Sequence, residues 1–380
     1  MTGLRPMRAR DVREPHRAAT LELLFDLFFV VAVSFAGSAL HHALSAGHVG
    51  EGLIGYLTTF FAIWWAWMNY SWFASAYDTD DWLYRLMTLA QMGGVLVLAA
   101  GVPRAFEEHD FGVVYLGYLI MRLAMAGQWL RAAGGDPAGR RTAIRYAIGI
   151  CVAQLGWVAV LLVHGSMFLA AFALGALLEL AVPVWAESAR RTPWHPHHIA
   201  ERYGLFTIIM MGENVLAATI AVQEQAREGG FGPGLPGLAA GTLVIVFALW
   251  WIYFDPPAHE LLDSNRRAIP WGYGHYLIFA AVGAFSSGVE VSVDDLTGRA
   301  HLPPVGVGLA VAVPVAVFLV MVWLLHVRPH GYGPVDGAAF LAAAALVLLA
   351  ALTPAPIPVI AVVLAALVAV SGAARRRRGT

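Results

Sequence analysis

The sequence predicts an all-α integral membrane protein of about twelve transmembrane helices, arranged as two parallel six-helix repeats. Three observations carry that prediction. Of the 380 residues, 59% are hydrophobic and 13% charged, which is well below the charged share of a soluble domain. Apolar windows of about twenty residues recur along the whole chain, bounded by glycine, proline or charge. Arginine also alternates between successive connecting segments, as the positive-inside rule requires.

Taken in order, the first window spans 20–44 and follows Arg5, Arg8, Arg10, Arg13 and Arg17. Basic residues before an apolar run can imitate a signal peptide, but this run is too long and contains Asp26, so it reads as an uncleaved first helix. Windows 52–76, 83–102, 111–131, 142–164 and 167–187 follow, the last two separated only by His164-Gly165-Ser166. A segment with two prolines and three histidines leads to 199–222, and then come 237–255, 271–291, 304–326, 334–352 and 356–373. With the N-terminus in the cytoplasm, 20 of the 24 arginines fall in cytoplasmic segments. Arg104, Arg227 and Arg299 fall outside, and Arg122 lies within a span. An even helix count with both termini cytoplasmic is therefore expected.

The two halves echo each other. Glu22 and Glu201 are 179 residues apart, Trp64-Trp65 and Trp250-Trp251 are 186 apart, and Trp82-Leu-Tyr and Trp271-Gly-Tyr are 189 apart. Each pair falls on the equivalent helix of a six-plus-six arrangement, and an even number per unit makes the repeats parallel. The expected organisation is a basic tail (1–18), a first repeat (19–187), a linker (188–198), a second repeat (199–373) and a basic tail (374–380).

Several function classes are excluded by composition. A formal net charge of −1 gives no footprint for nucleic acid. The single cysteine, Cys151, excludes an intrachain disulfide and a thiolate-only metal site. No phosphate loop, nucleophile elbow or dinucleotide fingerprint is present, and no cofactor is expected. The expected partner is the lipid bilayer, with a small ion or solute as cargo; the sequence does not fix the oligomeric state.

Acids inside apolar spans mark the candidate sites, because a charge at the bilayer centre costs at least ~2.5 kcal/mol unless it is paired or faces water. Glu22 and Asp26 are four apart and share one helix face, which continues through Phe29, Val33 and Gly37. Glu22 also suits a helix N-terminus at the interface. Arg122 sits about ten residues from either end of its span, too deep to snorkel, and requires Asp26 or Glu179 as its partner. In the seventh span Arg202, Phe206, Ile209 and Glu213 share a face. Glu213-Asn214 offers either oxygen ligands on a path or an interhelical clamp, with Gly212 allowing close approach. His195, His197, His198 and Glu201 have metal-ligand residue types but no metal-ligand spacing, so no metal is expected there.

These motifs resemble the bacterial low temperature requirement A family. The resemblance rests on Glu22-Leu-Leu-Phe-Asp26, on Trp64-Trp65 with Tyr77-Asp78-Thr79-Asp80-Asp81, and on His198-Ile-Ala-Glu201-Arg202-Tyr-Gly204. Gly212-Glu213-Asn214 and Trp250-Trp251-Ile-Tyr253-Phe-Asp255 complete it. It implies a multi-pass bacterial inner-membrane protein associated with growth in the cold. A more limited similarity to two-repeat potassium channels concerns architecture alone: their Phe-Ser-Asp element is reduced here to Phe25-Asp26, and Leu205-Phe206-Thr207 has no Asp. Three functions compete. They are transport of a small ion or solute along the intramembrane acids, a non-transporting scaffold or stress-adaptation role, and lipid modification by the His-rich segment.

Overall fold

The computed structural model describes residues 5–11, 18–77, 79–229, 234–331 and 333–378. Twelve α-helices are present among the described residues: α1 (Thr20–Ser45), α2 (Val49–Ala76), α3 (Trp82–Glu107), α4 (Gly112–Gly135), α5 (Arg140–Leu161), α6 (Phe168–Glu187), α7 (Pro196–Gly229), α8 (Leu235–Phe254), α9 (Asn265–Leu296), α10 (Pro304–Val322), α11 (Pro334–Ala350) and α12 (Pro356–Arg378). A π-helical turn, Trp323–Val327, closes α10.

Local chemistry sets several of these bounds. Proline is the first residue of α7, α10, α11 and α12, where a backbone N–H would have had no helical partner. At the start of α3, Asp81 Oδ1 accepts the N–H of Tyr84 at 2.8 Å as a side-chain cap. Between α1 and α2 the chain reverses through Gly47 at φ 82°, a left-handed conformation that glycine adopts without steric cost.

Ten of the helices are long and apolar enough to cross a bilayer, which makes this an all-α polytopic membrane protein. The two that fall short of the expected twelve do so for different reasons. α11 has 17 residues, roughly 26 Å of helix against a hydrocarbon core of ~30 Å. α2 has 28 residues, but its Gly, Thr, Asn, Ser and Trp content lowers its hydropathy. Its stretch 58–76 is buried apart from Ala62 and Trp72, which are half-buried. A helix enclosed on all faces by protein need not be as apolar as one bathed in lipid.

The chain divides into two compact units, Met1–Phe35 with Thr58–Tyr203, and Ala36–Leu57 with Gly204–Thr380. In the first, the buried stretch of α2 is the core: Tyr70 stacks on Phe25 with ring centroids 3.8 Å apart, and Trp67 meets Tyr203 edge-on at 4.9 Å. α3 and α4 approach closely at Gly117, where a Cβ would lie 2.3 Å from the Leu98 nitrogen, so no larger residue fits. The basic N-terminal segment is docked in this unit. Arg10 donates from Nε to Ser75 O at 2.9 Å and from Nη2 to Ala74 O at 3.0 Å, which satisfies carbonyls orphaned at the end of α2.

In the second unit, α9 is the core helix, with Ile278, Phe279, Val282, Phe285 and Val289 buried. Ser287 Oγ on α9 donates to Gly37 O at 2.8 Å, so Gly37 is indeed a point of close approach. Gly212 is not: it is exposed, and a Cβ there would meet nothing within 4 Å.

Candidate functional site: buried charge clusters of the first unit

Two helices present charged residues to each other with the same four-residue spacing. Glu22 and Asp26 lie on one face of α1, and His198 and Arg202 lie on one face of α7. His198 Nε2 is 2.8 Å from Glu22 Oε2, and Arg202 Nη2 is 2.6 Å from Asp26 Oδ1. Arg202 Nη1 lies 3.9 Å from Glu22 Oε2, which links the two pairs. α2 supports them from the side: Trp67 Nε1 donates to Asp26 Oδ1 at 2.7 Å, and Arg202 Nη2 donates to Ser71 Oγ at 3.3 Å. Asp26 and Arg202 are both 0% exposed. Asp26 Oδ2 nonetheless has no hydrogen-bond partner among the described residues.

Glu22 also reaches a cavity. A space of about 400 Å³ is lined by Arg10, Glu22, Thr79, Asp80 and Arg85 together with apolar groups such as Leu21 and Leu24, so charged side chains stand in a wall that is apolar over most of its area. At its rim Arg85 grips Asp80 through two hydrogen bonds of 2.6 Å each, and these hold the Asp80 carboxyl below its usual range. The rim therefore stays charged in neutral solution. This cavity reaches Glu22, one helical turn from Asp26.

A second cluster surrounds Glu179 on α6. Its Oε2 accepts from Arg122 at 2.8 Å and from Trp65 Nε1 at 2.9 Å. Its Oε1 accepts from Tyr118 at 2.8 Å, Gln154 at 3.1 Å and Trp157 at 3.2 Å. Five donors saturate a carboxylate that offers about four lone-pair positions. Such a group is locked, whereas Asp26 keeps one oxygen without a donor. The two candidate partners of Arg122 are thus resolved by geometry: Glu179 holds Arg122, and the Asp26 alternative is corrected because Arg202 occupies it.

The other residues singled out by sequence are dispersed. Glu201 accepts the N–H of Ala18 at 3.1 Å. Trp64 is buried beside Trp65. In the second unit Gly204 faces Phe254, Glu213 is half-buried, and Asn214 Nδ2 donates to Val282 O at 2.9 Å. Asn214 is thereby engaged in a helix–helix hydrogen bond. Trp250 and Trp251 are exposed and Asp255 caps the exposed end of α8, a placement typical of interfacial anchors. The histidine segment splits up. His198 turns to Glu22, His195 donates its N–H to Ser75 Oγ at 3.0 Å, and no three His, Cys, Asp or Glu residues among the described residues could hold a metal together.

Arg202 is the functional candidate that sequence reasoning undervalued. It follows a basic, His-rich stretch and looks like an interfacial residue. The available signal was the matched spacing of two acids on one helix and two bases on another. His275 and His326, buried in the second unit, were missed altogether because each stands alone in its apolar segment.

The comparisons with known proteins agree with this picture of a bacterial membrane protein. The chain is 26% identical over 290 residues to a Rhizobium meliloti (strain 1021) protein described as uncharacterized, which covers 70% of this chain and 68% of that one. The model of the bacterial low temperature requirement A protein matches residues 17–371, which takes in both acid-bearing helices and all twelve described helices almost completely. The chain belongs to the bacterial low temperature requirement A family.

Proposed function

We propose that this protein moves a small cation or solute across the bacterial inner membrane, with Glu22 and Asp26 as the acids that handle it. The observation that carries the reading is the contrast between two fully buried carboxylates. Glu179 is saturated by five donors, while Asp26 Oδ2 has none. An acceptor left open in a site without solvent costs ~1–3 kcal/mol, a cost that a transport site recovers when cargo or a proton arrives. The cavity that reaches Glu22, with Arg10, Asp80 and Arg85 in its wall, supplies a route for that cargo from one side. Arg202 balances the charge of the acids between arrivals, and His198 holds Glu22 by a hydrogen bond. The reading assigns no catalytic residue. Glu213, half-buried on α7, is a second acid for the same purpose in its own unit.

A non-transporting scaffold is the alternative, and the direct 2.6 Å Asp26–Arg202 pair is the observation that favours it. Flux measured in proteoliposomes under H⁺, Na⁺ and K⁺ gradients separates the two. Transport predicts flux through the wild type, lost in Asp26→Asn and Glu213→Gln with folded yield kept. Absence of flux for all three cations, or unchanged flux in both variants, returns these acids to structural duty.

A further inference from the structure

We infer that the second unit contains a metal-binding site formed by His275, His326 and Tyr253. The three side chains come from α9, the π-helical turn after α10, and α8. All three are buried, and both histidines are 0% exposed. Tyr253 OH lies 3.0 Å from His275 Nε2, and His326 Nε2 lies 3.3 Å from the same atom.

Hydrogen-bond accounting leaves this cluster unsettled without a cation. His275 Nδ1 is 2.7 Å from the carbonyl oxygen of Trp271, so Nδ1 carries the ring proton and Nε2 presents a lone pair. That lone pair faces two groups at once, the phenol and the second imidazole. If His326 carries its proton on Nδ1, two lone pairs oppose each other at 3.3 Å; if on Nε2, its Nδ1 is a buried acceptor. In neither case does His326 Nδ1 have a partner among the described residues. A metal ion between the two Nε2 atoms turns their opposed lone pairs into two ligand bonds, with the His326 proton on Nδ1. Two nitrogens each ~2.05 Å from a tetrahedral ion stand about 3.3 Å apart, which is the observed separation.

Other features fit the same role. The Nδ1–H bond from His275 to a backbone carbonyl is the outer-shell contact that fixes the tautomer of a ligating histidine. His326 sits in a π-turn, a distortion that re-aims side chains and recurs at functional sites. Among the described residues no three His, Cys, Asp or Glu side chains form a metal group, and here the third donor is a phenol. Imidazole and phenolate ligands suit Zn²⁺, Co²⁺ or Cu²⁺ rather than Mg²⁺ or Ca²⁺. Binding releases the phenolic proton of Tyr253 to solvent, and the site then holds one net positive charge.

The test uses the full-length protein purified in detergent and titrated with Co²⁺. The wild type should bind about one Co²⁺ per chain with the intense visible absorption of tetrahedral cobalt. His275→Gln and His326→Gln should each weaken binding by at least about tenfold, while His330→Gln leaves it unchanged. With Cu²⁺, the wild type should show a phenolate charge-transfer band that Tyr253→Phe removes. A wild type without cobalt absorption overturns the site whether or not the variants fold. Cobalt absorption that survives both histidine substitutions overturns it equally, by placing the metal elsewhere.

Discussion

Arg122 shows how much one buried residue demands of its surroundings. Its guanidinium is 1% exposed and meets Glu179 at 2.8 Å, while Tyr118, Gln154, Trp65 and Trp157 take the remaining lone pairs of the same carboxylate. Removing one member of a buried pair leaves an uncompensated charge and costs ~3–5 kcal/mol, a large part of a typical ~5–15 kcal/mol stability. Arg122→Ala should therefore cut folded yield in detergent sharply. Arg122→Met combined with Glu179→Gln should recover part of it, because the neutral amide keeps an acceptor for the surrounding donors. A normal yield for Arg122→Ala, measured by size-exclusion profile, would refute the structural role. Depth in an apolar span revealed that Arg122 needed a carboxylate. Depth alone did not choose between Asp26 and Glu179, since that choice depends on which helix faces face each other. Arg202 was harder to read, because a basic residue next to a polar linker looks solvated until its helix partner is known.

At the scale of one element, the start of α3 joins three segments through a single carboxylate. Asp81 accepts from Tyr84 N at 2.8 Å, from Arg5 N at 3.0 Å and from Arg131 Nη2 at 2.6 Å. Burial alone would raise this carboxyl, but the two backbone N–H groups and the Arg131 guanidinium outweigh it and hold it below the usual aspartate range. A carboxyl lowered in the folded state contributes stability that is fully present above its unfolded value of about 3.9 and is lost as pH falls through its folded value. Asp81→Asn preserves a capping side chain but loses the charge, so it should melt below the wild type at neutral pH. Asp81→Ala should lose a further ~0.5–2 kcal/mol with the cap. The wild-type advantage over Asp81→Asn should shrink as pH drops below about 4, and melting curves from neutral to acid pH check it. A gap that stays constant with pH would remove the charge from the explanation. The proline-marked starts of α10, α11 and α12 were legible in the sequence, because proline acts locally, whereas the seventh span was read from 199, three residues after Pro196. The docking of Arg10 on the end of α2 was not, because it joins segments about 65 residues apart.

On the scale of the whole molecule, twelve helices with ten clear spans leave the membrane topology to α2 and α11. Window hydropathy recovered every helix, since a bilayer imposes one simple length and composition. It did not show how far α2 is enclosed, because composition does not tell a lipid-facing helix from one buried in protein. The assignment of 36–57 to the second unit was also hidden: α1, α2 and α7 each contribute to both units, and no composition break marks the change. The arginine pattern decides how α2 and α11 should behave. At 28 residues, α2 reaches roughly 42 Å, more than a bilayer core. If α2 failed to cross, the loop at 136–139 and its neighbours Arg131, Arg140, Arg141 and Arg145 would face outward, as would Arg266 and Arg267. Arg190, Arg191, Arg328 and Arg375 to Arg378 would follow them, so the positive-inside rule then fails at each later basic segment together, and crossing by α2 is the consistent arrangement. If α11 failed to cross, Arg375 to Arg378 would lie outside. We therefore predict twelve crossings with both ends of this chain in the cytoplasm. Alkaline phosphatase fused in the loops at 108–111, 162–164 and 297–302 should be active, and fusions at 79–81, 136–139, 256–264 and after Thr380 should be silent. Fluorescent-protein fusions at the same points should give the reverse pattern. Phosphatase activity at 136–139 would show that α2 does not cross, and activity after Thr380 with silence at 256–264 would show the same for α11.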